Sequence, residues 1–250
     1  MHLSLLSGSF IFLMVFFAGF IDCIAGGGGM ITIPTYLSAG VPPELVLGTN
    51  KMVSSIGTLT AVIRLLKSVK VNLKPVLSGI LFTFTGAWIG ARLSQYLNHT
   101  AMVVLLLFVI PSVLILSAKK AYKTESRYRV NGIFFIKLCS IVFIIGAYDG
   151  FFGPGTGTFL FLGFMYLLSM SAREAVISAK IMNFVANFGA LIYFLISGLI
   201  AWPVVVIALP ASVLGYQLGA YFVLRANVKR IKLIVVLVLI CLMLHLIFSL

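Results

Sequence analysis

Charged residues are scarce in this sequence. Only 9% of its 250 residues are charged and only five are acidic, whereas an ordinary soluble domain has about 25% charged residues. With 62% hydrophobic residues and a mean hydropathy of +1.19, the composition argues against a water-soluble fold. The length allows at most about eight helices across a bilayer core about 30 Å thick. No room then remains for a soluble domain.

The sequence also lacks paired cysteines, clustered ligands and the features typical of a cleavable leader. Its three cysteines, Cys23, Cys139 and Cys241, lie far apart and have neither disulfide nor metal-ligand spacing. The first apolar stretch has no basic residue before it and no small-residue cleavage site after it. We therefore expect a retained first helix rather than a signal peptide. The histidines form no group with acidic residues, so we predict no catalytic residue, no metal site and no cofactor.

The net charge of +13 comes mainly from lysines and arginines at the ends of apolar segments. Such residues contact lipid headgroups and orient a membrane protein. We therefore expect membrane lipid, and no nucleic acid, as their partner. Most of these basic residues fall on one side of the membrane in the predicted topology, and they include the basic segment 119–131. That side is predicted to be cytoplasmic, together with both termini.

Apolar runs between helix breakers predict an all-α polytopic membrane protein with about eight transmembrane helices. The runs lie at 3–22, 44–66, 73–96, 101–118, 132–150, 172–199, 203–223 and 231–249. Two further apolar pieces, 30–40 and 156–169, are too short to cross and follow glycine-rich breaks. They are predicted to be re-entrant or half-helix segments. Glu44 and Glu174, near the starts of two spans, are expected to be helix-dipole partners.

The two halves of the chain match one another. Gly19-x-x-Asp22-x-x-x-Gly26-x-Gly28 overlies Gly146-x-x-Asp149-x-x-x-Gly153-x-Gly155, and Lys51 overlies Lys180. Glycine matches arise easily by chance, but two of only five acidic residues coincide here. We predict two homologous repeats, 1–122 and 132–250, joined by a basic cytoplasmic linker, 123–131. Four crossings per repeat would make the repeats parallel and an odd number would make them inverted; the sequence leaves both open.

The glycine-rich breaks are the predicted centre of an anion site. An exposed backbone polar group in hydrocarbon costs several kcal/mol, so unwound backbone survives only where protein or a water-filled cavity satisfies it. Glycine lets a ligand approach the main chain, and the following half-helix directs its positive end toward it. The residues concerned are Gly26, Gly27, Gly28, Gly29, Gly153, Gly155 and Thr156. The alternative is close helix packing, which is our interpretation for Gly86, Gly90, Gly215 and Gly219.

Two lysines and two aspartates also lie within apolar stretches. A lysine at membrane depth is costly unless it is paired or wetted, so Lys51 and Lys180 are candidates to hold the anion. The alternatives are structural ion pairs, Lys51 with Asp22 and Lys180 with Asp149, or snorkelling to an interface. Either aspartate could carry a coupling proton, but we favour capping the broken helix or neutralising a lysine. The predicted polar lining is Thr49, Asn50, Asn183 and Asn187.

These motifs closely resemble the TauE/SafE/YfcA family of sulfite-exporter-like membrane proteins, and the YfcA branch above all. The first-half residues are Ala18-Gly19-Phe20-Ile21-Asp22, 24–29, Thr32-Ile33-Pro34 and Thr49-Asn50-Lys51; the second-half residues are 148–154, Ala179-Lys180 and Asn183. The resemblance covers nearly the whole chain. It implies a permease of the bacterial inner membrane with seven or eight spans. Its implied substrates are anionic sulfur compounds such as sulfite, sulfoacetate or related sulfonates.

We therefore expect secondary transport by alternating access, with a small oxyanion bound between the two halves near the bilayer midplane. No G-x-x-x-x-G-K-[ST] motif is present, so direct ATP drive would need a separate subunit. An anion channel is the nearest alternative. An intramembrane enzyme is a weaker one, because the serines have no intramembrane histidine partner. The sequence leaves open whether the protein is a monomer or a homodimer.

Overall fold

A computed structural model describes residues 5–68, 73–97 and 128–225, with the isolated positions 100, 104, 108, 111 and 126. Every regular element in these ranges is helical, which agrees with the predicted all-α class. The predicted span 231–249 lies outside the described residues. So do the predicted span 101–118, apart from three isolated positions, and part of the linker 123–131.

Nine α-helices are described. They are α1 (Leu5–Ala25), α2 (Gly29–Ser38), α3 (Pro43–Ser68), α4 (Lys74–Leu77), α5 (Ile80–Leu93), α6 (Gly132–Phe151), α7 (Thr156–Tyr166), α8 (Ala172–Ile196) and α9 (Trp202–Arg225). A 3₁₀ turn, Ser94–Tyr96, extends α5. The short helices α2 and α7 coincide with the two apolar pieces predicted to be re-entrant. At 10 and 11 residues they fall well below the roughly 20 that a crossing needs.

Five of the described helical segments are long and apolar enough to cross a membrane, namely Leu5–Ile24, Pro75–Tyr96, Gly132–Phe151, Ala172–Ile196 and Trp202–Arg225. The chain is therefore a multi-pass membrane protein. Helix α3 has 26 residues but is more polar than these five. It packs between α8 and α9, so the polar side chains in its middle, such as Asn50, Lys51 and Ser55, are surrounded by protein rather than by lipid. The total of eight crossings stays a prediction.

In the described residues each half has a long helix, a glycine break, a short helix, a second long helix and a final span, which in the first half is divided into α4 and α5. The first helix of each half packs mainly on the last described helix of the other, α1 on α9 and α6 on α5. Glycines allow these close approaches. A Cβ on Gly90 would lie 1.9 Å from Ala147 O, and one on Gly215 would lie 2.1 Å from Phe16 O. The two halves are thus interlocked.

Close packing was our interpretation for four glycines, and it is confirmed for all of them. Besides Gly90 and Gly215, a Cβ on Gly86 would lie 2.4 Å from Phe143 O and one on Gly219 would lie 2.6 Å from Cys23 Cβ. Real Cβ atoms do not approach other atoms so closely. Each of these positions therefore requires glycine if the helices are to keep their separation.

Gly90→Ala is expected to lower the free energy of unfolding by about 1–3 kcal/mol, because the added methyl group forces α5 away from α6. The matched control is Gly132→Ala at the start of α6, where a Cβ meets no atom within 4 Å. The unfolding temperatures of the two detergent-purified variants provide the measurement. Equal temperatures would show that α5 and α6 are not packed through Gly90.

The helix starts agree with the predicted dipole partners. Glu44 lies in the first turn of α3 and Glu174 in the first turn of α8. Ser171 caps α8, since its Oγ accepts a hydrogen bond from the Glu174 backbone N–H at 3.4 Å. A carboxylate here faces the free N–H groups and the positive end of the helix dipole.

Candidate functional site

The two glycine breaks meet one another. The chain leaves α1 at Gly26 with φ +76°, and leaves α6 through Gly153 and Gly155 with φ +101° and +84°, values that favour glycine. A Cβ on Gly26 would lie 2.4 Å from Gly157 Cα and 2.6 Å from Thr158 N. The main chains of the two breaks are therefore in direct contact. They form one central feature rather than two separate sites.

The remaining glycines of the first break differ in how much space a side chain would have at each position. A Cβ on Gly28 would lie 2.7 Å from Asp22 Cβ, so this position requires glycine. A Cβ on Gly29 would make ordinary contact with Pro154 Cα at 3.4 Å. A Cβ on Gly27 would meet only the side chain of Met30, at 3.8 Å. Gly27 is thus the one residue of this break with space beside it.

Two buried ion pairs cross between the halves at this centre. Lys51 Nζ on α3 lies 2.6 Å from Asp149 Oδ2, and these side chains are only 1% and 2% exposed. Lys180 Nζ on α8 lies 3.8 Å from Asp22 Oδ2 and donates a hydrogen bond to the Asp22 main-chain carbonyl. The structure therefore brings together all four ionisable residues that the sequence singled out.

The predicted pairing within each half, Lys51 with Asp22 and Lys180 with Asp149, is wrong. The predicted alternative of snorkelling is also wrong, because both lysines are buried in protein. The reason is the interlocked packing. The third helix of each half, α3 or α8, places its lysine at the break of the opposite half.

Asp22 makes the kind of capping contact that we favoured. Its Oδ1 accepts a hydrogen bond from the backbone N–H of Gly28, at 2.8 Å, immediately before α2. Its Oδ2 accepts a hydrogen bond from the hydroxyl of Tyr216 on α9. Sequence reasoning missed Tyr216. In the alignment of the two halves Tyr216 overlies an apolar residue, Ala87, so the alignment gave no signal for this contact.

The predicted polar lining divides into two groups. Asn50 Oδ1 accepts a hydrogen bond from Thr32 Oγ1 on α2 at 2.6 Å, so Asn50 lies beside the first short helix. Asn187 Nδ2 donates to the main-chain carbonyl of Asn183 at 2.8 Å, one turn away on the same face of α8. Both asparagines of α8 are buried. Thr32 is a further buried polar residue that the predicted lining did not include.

The two threonines of the predicted site bond to the main chain. Thr49 Oγ1 accepts from the backbone N–H of Ala201 at 2.9 Å and donates to Leu45 O at 2.6 Å. It thereby fixes the segment before α9 to α3. Thr156 Oγ1 donates to Gly153 O at 2.7 Å inside the second break. The hydroxyl hydrogen of Thr49 is therefore already used in the described conformation, whereas the Thr156 hydroxyl is within reach of both Gly153 O and the Asp149 carboxylate.

The charges of the site balance. Two lysines and two of the five acidic residues of the chain form two neutral pairs. Among the residues that the structure describes, no group of three or more His, Cys, Asp and Glu side chains could hold a metal ion. Among the described residues, these two lysines are the cations of the site, so one of them can neutralise an added anion if it turns away from its aspartate or if that aspartate becomes neutral.

Comparisons with known proteins cover almost the whole chain. A family model described as "Sulfite exporter TauE/SafE" matches residues 11–246. A "probable membrane transporter protein ORF9" of Sinorhizobium sp. is 37% identical over 238 residues, which are 95% of this chain and 91% of that protein. A "probable membrane transporter protein" of Haemophilus influenzae is 36% identical over 228 residues, 90% and 89% of the two chains. The "probable membrane transporter protein YfcA" of Escherichia coli is 33% identical over 230 residues, 91% and 85% of the two chains. No solved structure matches the chain.

Proposed function

The chain belongs to the sulfite exporter TauE/SafE family of membrane transporters, and on that premise we propose that it is a permease for a small sulfur oxyanion or organosulfonate such as sulfite or sulfoacetate. The family resemblance inferred from the motifs is thereby confirmed. The observation that carries the proposal is the contact between the two glycine breaks, with one buried lysine from each half beside them.

The proposed site lies between the halves, where both short helices begin. Helix α2 starts at Gly29, which faces Pro154, and α7 starts at Thr156, beside the contact between Gly26 and Gly157. The positive ends of two helix dipoles therefore point to one region, which favours a bound anion. Lys51 Nζ would lie 2.8 Å from a Cβ on Gly153, so the ammonium group is close to the second break.

The proposed mechanism is secondary transport by alternating access, in which the anion passes between the interlocked halves. Our proposed location is the bacterial inner membrane, with the basic segment 119–131 on the cytoplasmic side. The bacterial relatives with a similar length support this location. The proposed partners are the anion and membrane lipid, without nucleic acid or cofactor. The protein is proposed to have no enzymatic activity, in line with relatives that are named as transporters.

We expect at least one of sulfite, sulfate, thiosulfate, sulfoacetate and taurine to raise the unfolding temperature of the purified protein. The variant for comparison is Lys51→Met/Asp149→Asn, which removes a neutral pair without leaving a lone charge. It is expected to fold and to bind the effective anion at least about tenfold more weakly, because one cation is lost. Lys67→Met, at the exposed end of α3, is the matched control. Equal binding by the double variant would contradict a role for Lys51.

The same anion then distinguishes a transporter from a channel. Protein reconstituted in liposomes is expected to accumulate the labelled anion above its external concentration when an opposing or parallel ion gradient is imposed. A channel cannot concentrate its ion. If the anion only equilibrates across the liposome membrane, the protein is a channel and not a transporter. If none of the five compounds binds or enters, the proposed substrate class is wrong.

A further inference from the structure

The two crossed ion pairs are not equivalent. Asp22 has two fixed donors besides its lysine, the backbone N–H of Gly28 and the hydroxyl of Tyr216. Asp149 has Lys51 at 2.6 Å as its close charged partner. The carboxylate of Asp22 thus remains hydrogen-bonded if Lys180 moves. The carboxylate of Asp149 loses its counter-charge if Lys51 moves.

The sequence encodes this difference. In the internal repeat, Tyr216 overlies Ala87, which has no hydroxyl to donate to Asp149. The hydroxyl of Thr156 is within hydrogen-bonding reach of Asp149, but its single hydrogen is shared with Gly153 O, which lies 2.7 Å away. Among the described residues, Asp149 therefore has one shared hydroxyl besides its lysine, whereas Asp22 has both the Tyr216 hydroxyl and the Gly28 N–H.

The two lysines also differ, because Lys180 is held by the main chain and Lys51 by a side chain. Lys180 lies farther from its carboxylate, at 3.8 Å, but its ammonium group donates to the Asp22 main-chain carbonyl at the end of α1. It therefore fixes α8 to the first break. Lys51 bonds to a side chain instead, and its Nζ lies close to Gly153, where an added Cβ would be 2.8 Å away. A short rotation of the lysine side chain would bring its ammonium group to an anion at the breaks.

We propose that Lys51 and Asp149 are the exchangeable pair of the transport site, and that Asp149 takes up one proton for each anion that Lys51 binds. The proposal rests on the proposed function and adds its coupling ion. Lys180 and Asp22 form the fixed counterpart that holds the interlocked halves together. In the proposed permease, the coupling proton is therefore carried by Asp149 at the second break and not by Asp22 at the first, although both breaks have the same motif.

The exchange is balanced in charge. Before binding, the ammonium of Lys51 and the carboxylate of Asp149 cancel. On binding, the hydrogen bond from Lys51 Nζ to Asp149 Oδ2 breaks and the ammonium donates to the anion instead. A buried carboxylate left without its cation costs several kcal/mol, so an O–H bond forms on Asp149 with a proton from the aqueous phase. With a monovalent anion the cluster is again neutral.

In the part of the chain that the structure describes, few other groups near Asp149 can titrate or carry charge. Helix α3 supplies Lys51, α1 supplies Asp22, which is close enough to act on it electrostatically, and α7 supplies the Thr156 hydroxyl. Helix α8 supplies Lys180, which is bound to Asp22. Helix α5 packs here through its small residues, and a Cβ on Gly150 would lie 1.9 Å from Ala87 O. Tyr148, next in the chain, donates its hydroxyl to Pro154 O at 2.5 Å.

The test measures binding of sulfate and methanesulfonate, whose charges stay constant between about pH 5 and about pH 8, to the wild-type protein. Because one proton accompanies each anion, the affinity is expected to rise by up to about tenfold for each unit that the pH falls. Proton uptake on adding the anion to weakly buffered protein gives a second readout that needs no variant. It is expected to approach one proton per bound anion.

Variants of the two aspartates and of Tyr216 test which residue takes up the proton. Asp149→Asn is expected to bind the anion with almost the same affinity at every pH and to take up no proton. Asp22→Asn and Tyr216→Phe, which change the fixed pair, are expected to keep the pH dependence. A slope that persists in Asp149→Asn or disappears in Asp22→Asn overturns the assignment. Binding by the wild type that is independent of pH, or weakens as the pH falls, overturns the inference but leaves the proposed function standing. Failure of these two anions and of all five compounds named above to bind at any pH overturns both.

Discussion

Replacing Lys51 alone with methionine is expected to lower the free energy of unfolding by about 3–5 kcal/mol, one of the two largest effects predicted for this protein. Lys51 and Asp149 are both almost completely buried, and their charged atoms lie 2.6 Å apart. Removing the lysine leaves a carboxylate inside the protein without its counter-charge. The measurement is the unfolding of the purified variant by heat or denaturant in detergent.

Two matched variants show whether the stability is lost because Asp149 is left unpaired or because the packing around Lys51 is lost. Lys51→Met/Asp149→Asn also lacks the lysine but has no unpaired charge, so most of the lost stability is expected to return. Lys67→Met removes a lysine from the exposed end of the same helix and is expected to change stability by less than about 0.5 kcal/mol. If the single and double variants were equally unstable, the cost would come from packing around Lys51 and not from Asp149.

Gly26→Ala is the second variant with a large expected effect, about 2–5 kcal/mol. Gly26 has φ +76°, a left-handed conformation that costs an L-residue with a side chain about 1–2 kcal/mol. The added Cβ would also lie 2.4 Å from Gly157 Cα, where overpacking adds about 1–3 kcal/mol. Because this contact joins the two breaks, anion binding is expected to fall together with stability.

Two other glycines of the chain separate these causes. Gly40 has φ +78°, almost the same as Gly26, but a Cβ there meets no atom within 4 Å. Gly40→Ala therefore reports the backbone strain without the collision. Gly27 has neither a positive φ nor a contact closer than 3.8 Å, so Gly27→Ala is expected to be mild. A Gly26→Ala protein no less stable than Gly40→Ala would show that the breaks do not touch at Gly26.

Features that depend on neighbouring residues were predictable from the sequence. A glycine run within an apolar stretch predicts a break wherever it occurs, and 30–40 and 156–169 are confirmed as the short helices α2 and α7. The span 203–223 corresponds to α9, Trp202–Arg225, for the same reason. The packing glycines were also recognisable, because four-residue spacing places them on one face of a helix.

Features that depend on how the halves meet were not predictable. The sequence alignment of the repeat placed Lys51 downstream of Asp22, which made a pair within one half the obvious choice. The structure pairs Lys51 with Asp149 instead, because α1 packs on α9 and α5 on α6. The hydrogen bond from Tyr216 to Asp22 joins residues 194 positions apart. No local pattern distinguishes that tyrosine from an ordinary apolar contact residue.

The pairing across the halves has a consequence for biosynthesis. Asp149 follows Lys51 by 98 residues, so a ribosome working at about 5–20 residues per second delivers the carboxylate about 5–20 seconds after the ammonium group. During that interval α3 holds a lysine with no acidic group of the second half to meet it. The nascent first half therefore has to keep α3 near water or the insertion machinery until α6 arrives, and the order of synthesis becomes part of how the central cluster assembles.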